Sequence, residues 1–237
     1  MKQRISLWAG FVLLALGGGG EVFAAEVDYT LWDQVLKQFV NKEGRVDYDA
    51  LVQERDPLDT FIKKEIEKAD PSAMSKQEEK AFWINAYNAL TMQLILDNYP
   101  PAFNTIRTIN WGRPWAVSMK AGGRDVTLKE IEHDILRQWH PFDERIHFAI
   151  NCASIGCPRL PREHFEPDIL DTQLERETRQ FINDPDTVRV DRKKDIVYHS
   201  EIFNWFKEDF LVTHNSLLDY MLDYFDAGSQ QMTRSSG

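Results

Sequence analysis

The chain has 237 residues, two cysteines and a formal net charge of −10 at pH 7. This length suits one domain, or two small ones, and allows a sizeable hydrophobic core. The acidic balance disfavours nucleic acid and anionic membrane surfaces as partners, because both carry negative charge. Two cysteines as close in sequence as Cys152 and Cys157 cannot cross-link distant parts of a fold, which excludes a disulfide-scaffold protein.

The N-terminus has the pattern of a secretory signal peptide. Lys2 and Arg4 precede an apolar run from Ile5 to Leu16, and Val22 and Ala24 have the small-residue spacing of a cleavage site. An uncleaved membrane anchor is the alternative, but the run is shorter than the roughly 20 residues that span a bilayer. We therefore predict a signal peptide over 1–24 and a periplasmic or secreted mature protein with no stable membrane insertion after cleavage.

The next segments favour helices. Residues 28–40 place apolar side chains on one side, as in an amphipathic helix. A second helix is predicted from Asp49 or Pro57 to Lys68, where an Asp-Pro pair follows and ends it. The sequence after the signal peptide thus begins with helices and shows no long linker.

The segment 75–98 gives the clearest helix signal. Ser75 and Glu78 form a capping-box pattern, and the following AFWINAYNALTMQLIL is apolar on every side. A helix without a polar face is usually central and buried. Asn85 and Asn88 interrupt the apolar run and project from one side, so their amides either satisfy neighbouring backbone or line a site.

The rest of the chain alternates short hairpins and helices. The predicted elements are a hairpin at 117–127 turning at Gly122-Gly123, a helix at 128–138 opened by a Thr127–Glu130 capping box, a buried strand at 145–150, a helix at 168–183, a hairpin at 187–199, helices at 202–210 and 215–226, and a flexible tail at 227–237. We therefore predict an α+β fold, a helix-rich single globular domain over 25–226 with a central buried helix and short β-hairpins.

Familiar catalytic motifs are absent from the sequence: it has no phosphate loop, dinucleotide-binding glycine pattern, HExxH helix or GxSxG elbow. The six histidines are scattered, so we predict neither a metal site nor a cofactor. Cys152 is the main candidate nucleophile. If Asn151 caps a helical turn, Cys152 lies in its first turn, where a thiol pKa is lowered. A Cys152–Cys157 disulfide is the alternative in an oxidising compartment, and a buried structural cysteine is another.

A nucleophilic thiol needs a base. In a regular strand at 145–150, His147 would point away from Cys152. The helix at 128–138 offers Glu132 and His133 instead. Glu132 falls within the apolar face, where a carboxylate must be paired, hydrogen-bonded or protonated. A structural ion pair of Glu132 with Arg107 or Arg159 is the alternative, and His133 either borders a cleft or is solvated.

The same residues carry a family resemblance. The chain resembles the bacterial and plant family catalogued as domain of unknown function 547. The matching segments, which span most of the mature chain, are AFWINAYNAL at 81–90, LKEIEHDILR at 128–137, IHFAINCASIGCPRL at 146–160 and IFNWFKEDF at 202–210. The family motif includes residues that match Trp83, Asn85, the pair Glu132-His133, and Cys152.

The resemblance bears on the chemistry. The family position matching Cys157 is serine in plant-type members, which speaks against a disulfide as the family's shared purpose and leaves Cys152, His133 and Glu132 as the shared reactive set. This set is similar in chemistry to papain-like or transglutaminase-like sites. Because Glu-His precedes Cys in the chain, the resemblance implies a relation to permuted versions of those folds.

Two functional hypotheses follow. In the first, the protein is an exported thiol-dependent hydrolase or acyltransferase acting on a peptide, amide or thioester bond. Cys152 attacks the acyl carbon, His133 moves the proton, and Glu132 or Asn85 orients the imidazole. Trp83 and Asn88 would help to bind the small-molecule or peptide substrate. In the second, the protein is a non-catalytic exported binding or scaffolding module with a local Cys152–Cys157 disulfide.

Overall fold

Helices dominate the structure, a computed structural model that describes residues 26–99, 106–153, 156–191 and 193–226. The predicted signal peptide and flexible tail lie outside these residues. The α-helices are α1 (Thr30–Phe39), α2 (Tyr48–Leu51), α3 (Asp56–Phe61), α4 (Lys76–Leu96), α5 (Leu128–Glu130), α6 (Leu170–Asn183), α7 (Ile202–Trp205), α8 (Lys207–Phe210) and α9 (Leu217–Tyr224). Both predicted hairpins are present, as the antiparallel pairs β1 (Met119–Ala121) with β2 (Arg124–Val126) and β3 (Val188–Asp191) with β4 (Ile196–His199).

Tighter and wider turns extend several helices. A π-helical segment, Ile62–Ile66, continues α3, and Ile131–Ile135 continues α5 in the same way before a 3₁₀ turn at Leu136–Gln138. The other 3₁₀ segments are Pro71–Ala73, Ile106–Gly112, Pro114–Ala116, Glu144–Phe148 and Pro167–Ile169, of which Ile106–Gly112 is interrupted by non-helical backbone at Ile109, Asn110 and Trp111. Among the residues described, no helix is long and apolar enough to cross a membrane.

The α4 helix is the centre of the larger hydrophobic core. Its start is the predicted capping box: the Ser75 hydroxyl accepts from the Glu78 N–H at 3.3 Å, and the Glu78 carboxylate accepts from the Ser75 N–H at 2.7 Å. Apolar residues around its whole circumference are buried, as the absence of a polar face predicts. The helix is therefore enclosed by the other elements, and Asn85 and Asn88 lie inside the protein.

The second capping box is only half formed. The Thr127 hydroxyl accepts from the Glu130 N–H at 3.0 Å, as predicted. The Glu130 carboxylate pairs with Arg124 on the neighbouring hairpin instead of returning to the Thr127 N–H. The Glu130 carboxylate is therefore bound by the Arg124 guanidinium of β2 and not by the backbone. The helix still begins at the predicted residue.

The predicted strand at 145–150 is wrong. Glu144–Phe148 forms a 3₁₀ helix whose start is capped by Asp143, which accepts from the Arg145 N–H at 3.2 Å. Burial of this segment is correct, but a short apolar run does not distinguish a buried strand from a buried helical turn. The alternation that pointed His147 away from Cys152 therefore does not apply.

A second hydrophobic cluster lies between α6 and the C-terminal helices. It is largely aromatic: Phe148 packs against Phe181, Phe203 and Phe210 with ring centroids 5.0–5.7 Å apart. Phe210 in turn packs on Tyr220 of α9, with centroids 4.9 Å apart. The segment 144–153 joins this cluster to the larger core around α4. Cys152 therefore lies near the point where the two clusters meet, and Cys157 follows shortly after.

Candidate functional site

Asn88 on α4 fixes the backbone immediately before Cys152. Its amide nitrogen donates to the Ala149 carbonyl at 2.9 Å, and its amide oxygen accepts from the Asn151 N–H at 2.8 Å. Asn88 is buried, so these bonds satisfy its polar atoms and also those of the turn that it holds. The amide that interrupts the apolar helix thus positions the cysteine segment.

Asn151 organises the segment from within. Its side-chain oxygen accepts from the Ala153 N–H at 2.8 Å, and its nitrogen donates to the Pro158 carbonyl at 2.6 Å. The first bond is an Asx turn and not a helix cap, and Ala153 has a left-handed φ of 54°. The predicted placement of Cys152 in the first turn of a helix is therefore wrong.

Cys152 and Cys157 lie at disulfide distance, with their Cα atoms 6.1 Å apart. That separation falls within the range that a disulfide bridges. Both residues are half-buried, and Gly156 between them is exposed. The two thiols that the sequence offered as nucleophile and partner are thus held side by side.

A cleft of about 840 Å³ opens beside this loop. Its walls combine a few aromatic side chains with polar and charged ones, including Tyr48, Phe148, Phe181, Asn151, Cys157, Pro158, Arg159 and Glu177. We call this opening the loop cleft. Its volume falls within the range of small-molecule pockets.

Glu132 lies on the π-helical segment that follows α5 and faces α4. The Tyr87 hydroxyl donates to its carboxylate at 3.3 Å. Burial raises the pKa of Glu132 to about 7, although the Tyr87 hydrogen bond and the Arg137 charge act in the opposite direction. The proposed ion-pair partner Arg159 instead contacts Glu177 at 2.7 Å, and the side chain of Arg107 lies outside the described residues.

His133 is held by Arg137, one helical turn further along. The guanidinium lies 3.0 Å from the ring Nδ1, so Nδ1 accepts and the neutral ring carries its proton on Nε2. Burial and the Arg137 charge lower the pKa of His133. This arrangement suits donation from Nε2 better than proton abstraction. Among the hydrogen bonds of the described residues, none joins His133 or Glu132 to Cys152.

Sequence reasoning missed a buried ionic cluster next to His133. Asp209 of α8 receives two hydrogen bonds from Arg137, at 2.7 and 2.8 Å, and one from the ring Nε2 of His147, at 2.7 Å. Burial alone would raise the pKa of Asp209, but the bonds from His147 and Arg137 outweigh it and lower the pKa. Burial lowers the pKa of His147, whose ring stacks on Phe206 with centroids 4.0 Å apart.

Asn85 and Trp83 serve the core. The Asn85 amide donates to Ala81 and Phe165 carbonyls at 3.0 and 2.8 Å, and accepts from the Phe165 N–H and the Trp32 indole at 3.0 and 3.3 Å. All its hydrogen-bonding capacity is therefore used by the protein. Trp83 is buried, and its indole N–H has no partner within the part of the chain that the structure describes.

Within the described residues, His, Cys, Asp and Glu side chains do not gather in threes that could hold a metal ion.

The comparison with protein families agrees with the motif positions. Residues 71–182 match the family model described as "Protein of unknown function, DUF547". This chain contains a DUF547 domain. Neither the curated proteins nor the solved structures include a match to the chain. The DUF547 domain encloses α4, the Glu132-His133 pair and both cysteines.

The DUF547 boundary also divides the ionic cluster. Arg137 and His147 lie inside the matched range, whereas Asp209 lies beyond its C-terminal end. The described part of the chain after residue 182 therefore completes a buried network that the DUF547 domain begins. The one signal for this in the sequence was the segment IFNWFKEDF, which carries Asp209 and belongs to the resemblance.

Proposed function

We propose that this protein is an exported binding module that does not carry out acyl transfer, and that its binding site is the loop cleft. The observation that carries the proposal is the pairing of Cys152, at disulfide distance, with Cys157, which lines the cleft. In an exported protein such a pair is expected to be oxidised. An oxidised Cys152 has no thiolate with which to attack an acyl carbon.

Three further features support binding over acyl transfer. The side-chain amide of Asn85 is already hydrogen-bonded to backbone groups and an indole N–H, so it does not orient an imidazole. His133 uses its Nδ1 lone pair to accept from Arg137. Neither Glu132 nor His133 is hydrogen-bonded to Cys152 in the described structure. The residues expected to form a catalytic set therefore serve separate local networks.

The loop cleft has the chemistry to bind a small polar molecule or a short peptide. The half-buried Tyr48 supplies aromatic surface, and Arg159 offers a cation held by the buried Glu177 at 2.7 Å. Because the salt bridge fixes the guanidinium in place, little side-chain entropy would be lost when a ligand contacts it.

The oxidation state of the cysteines tests whether Cys152 is free for acyl transfer. The purified exported protein is alkylated under denaturing conditions without reductant, and its intact mass is measured. We expect no added alkyl group, and two after reduction. A single alkyl group on Cys152 before reduction would contradict the proposal.

Ligand binding tests the rest. We would screen small polar molecules and short peptides by thermal shift, since a ligand of the folded state raises the melting temperature. Gln180→Trp places a bulky side chain at the cleft, and Gln77→Trp, at an exposed position on α4, is the control. Ligands of the cleft should lose their effect in the first variant and keep it in the second. Ligands that act equally on both variants would refute the site.

A thiol-dependent hydrolase or acyltransferase is the second candidate, because a carboxyl with a pKa near 7 suits acid–base chemistry at neutral pH. This second function requires reduced Cys152. It agrees with the proposed relation to permuted papain-like or transglutaminase-like folds. Iodoacetamide labelling of Cys157→Ser against pH tests it. A hydrolase predicts a thiol pKa well below 8.5 that rises in His133→Ala.

A further inference from the structure

The loop that carries the cysteines is anchored without the help of the sulfur atoms. In the described part of the loop, the anchors are on immediate neighbours of the cysteines. Beside Cys152, the Asn151 N–H donates to Asn88 and the Ala153 N–H donates to the Asn151 side chain, both at 2.8 Å. Beside Cys157, the Gly156 carbonyl accepts from the Ser200 hydroxyl at 2.9 Å.

The last anchor connects the two ends of the loop. The Asn151 side chain donates to the Pro158 carbonyl at 2.6 Å, so the residues just outside the cysteines are tied to each other. Reduction of the disulfide would leave these hydrogen bonds in place. Cys152 and Cys157 would therefore stay close enough to pair again, with Cα atoms 6.1 Å apart in the oxidised form.

The disulfide also contributes little as a cross-link. A disulfide stabilises a fold mainly by restricting the unfolded chain, and the effect grows with the length of the closed loop. Cys152 and Cys157 are only five positions apart, so little chain entropy is removed. A disulfide that neither sets the shape of its loop nor cross-links distant elements can be reduced and re-formed within the folded protein.

The pair is accessible from the loop cleft. Cys157 lines the cleft together with the exposed Gly156, which has no side chain to cover the sulfur. Lys42 and Arg45, both exposed, line the same cleft. Glu43, Asp184 and Asp186 line it as well, so the wall of the cleft near Cys157 carries charges of both signs. The thiolate is the form in which a thiol attacks a disulfide.

We propose that Cys152–Cys157 is a redox-active pair that exchanges with a dithiol in a polypeptide segment entering the loop cleft. This activity goes beyond ligand binding by the cleft. It makes the protein an oxidant of thiol-bearing chains, and the reduced pair is the product.

The exchange balances in two steps. A partner thiolate attacks Cys157 Sγ, a mixed disulfide forms, and the Cys152–Cys157 bond breaks with its electron pair going to Cys152 Sγ, which takes up a proton. The partner's second thiol, as thiolate, attacks the partner sulfur of the mixed disulfide and releases Cys157, which is protonated in turn. The partner loses two electrons and two protons, and the cysteine pair gains them.

A synthetic peptide with two cysteines is the probe. The oxidised protein is mixed with the reduced peptide, the reaction is quenched by alkylation, and both masses are measured while circular dichroism follows the fold. We expect one peptide disulfide per protein reduced, with the fold unchanged. No exchange, or reduction only after the protein unfolds, would overturn the proposal.

Two further variants test the assigned roles. With oxidised peptide, Cys152→Ser should trap a mixed disulfide through Cys157 at least tenfold faster than Cys157→Ser does through the other cysteine. Asn88→Ala should slow reoxidation of the reduced pair at least tenfold, whereas Asn98→Ala, at an exposed position just after the same helix, should not. Equal trapping by both cysteine variants would contradict attack at Cys157, and an unchanged reoxidation rate in Asn88→Ala would contradict the anchoring.

Failure of this proposal is distinguishable from failure of the binding function. Cys157→Ser cannot exchange a disulfide, yet it retains the cleft. If ligands found by thermal shift still stabilise Cys157→Ser while wild type shows no exchange, the binding module stands and the redox activity falls.

Discussion

Tyr87 and Glu132 meet across the interface between α4 and the segment that follows α5, where the phenol donates to the carboxylate at 3.3 Å. The contact joins the buried central helix to the helix that carries His133. Burial raises the pKa of Tyr87, with the nearby Glu132 charge as the next cause, and burial likewise raises the pKa of Glu132 to about 7.

The first prediction concerns the pH dependence of stability. Because the folded-state pKa of Glu132 lies above its ordinary value of 4.5, protonated Glu132 stabilises the fold fully below about pH 4.5, and this contribution is lost as the pH rises through about 7. Glutamine cannot ionise, so the free energy of unfolding of Glu132→Gln should not fall in this way as the pH rises. At pH 8 the substitution should raise the free energy of unfolding by up to about 3 kcal/mol relative to wild type, and at pH 4.5 by much less.

Urea unfolding at both pH values measures the difference. Glu54→Gln, at an exposed position, is the control, and its effect on the free energy of unfolding should be similar at both pH values. A Glu132→Gln effect of equal size at pH 4.5 and pH 8 would show that the fold does not raise the pKa of Glu132 above its ordinary value.

The second prediction concerns Asn85. Asn85→Ala would leave the Trp32 indole N–H and both backbone groups of Phe165 buried without their partners, at about 1–3 kcal/mol for each group. We expect a loss of about 3 kcal/mol or more in the free energy of unfolding. Asn98→Ala removes one bond at an exposed position and should cost under about 1 kcal/mol. Similar losses in the two variants would refute the structural role of Asn85.

Asp209 provides the third prediction. Asp209→Asn keeps the volume but removes the negative charge that faces Arg137 and the buried His147, and should lower the free energy of unfolding at pH 7 by about 3 kcal/mol. Because the pKa of Asp209 is lowered in the fold, its contribution is present at neutral pH and disappears only as the pH falls through that lowered pKa. The neighbouring exposed Glu208→Gln should change stability by less than about 0.5 kcal/mol. A stable Asp209→Asn protein in urea unfolding would contradict the cluster.

Gly44 provides the fourth prediction. It has a φ of 75°, and a Cβ there would lie 2.4 Å from Arg159 Cβ and 2.8 Å from the Leu160 nitrogen. Gly123 has a similar φ of 73°, but a Cβ there would come no closer than 3.9 Å to another atom. Both alanine variants share the backbone strain, so the comparison isolates the clash. We expect Gly44→Ala to lower the melting temperature clearly more than Gly123→Ala, by about 1–3 kcal/mol of additional destabilisation. Equal melting temperatures would show that the loop at 44 adapts freely.

Local patterns were sufficient for most of the fold. Ser75 and Glu78 specify the start of α4 through a reciprocal hydrogen bond between residues three apart, and the apolar run after them specifies burial. The glycines at 122 and 123 specify a hairpin turn, because positive φ values favour glycine. The segment 144–148 could not be resolved in this way, since a short apolar run fits a strand and a helical turn equally well.

The chain by itself determined which residues are polar within apolar surroundings: Asn85, Asn88 and Glu132 were all identified from periodicity alone. Only the tertiary structure decided what each of them contacts. Asn88 holds the backbone at Ala149, 61 residues away, and His147 meets Asp209, 62 residues away. Periodicity reports which face of an element is buried, whereas a hydrogen bond depends on distance and direction between elements that only packing brings together.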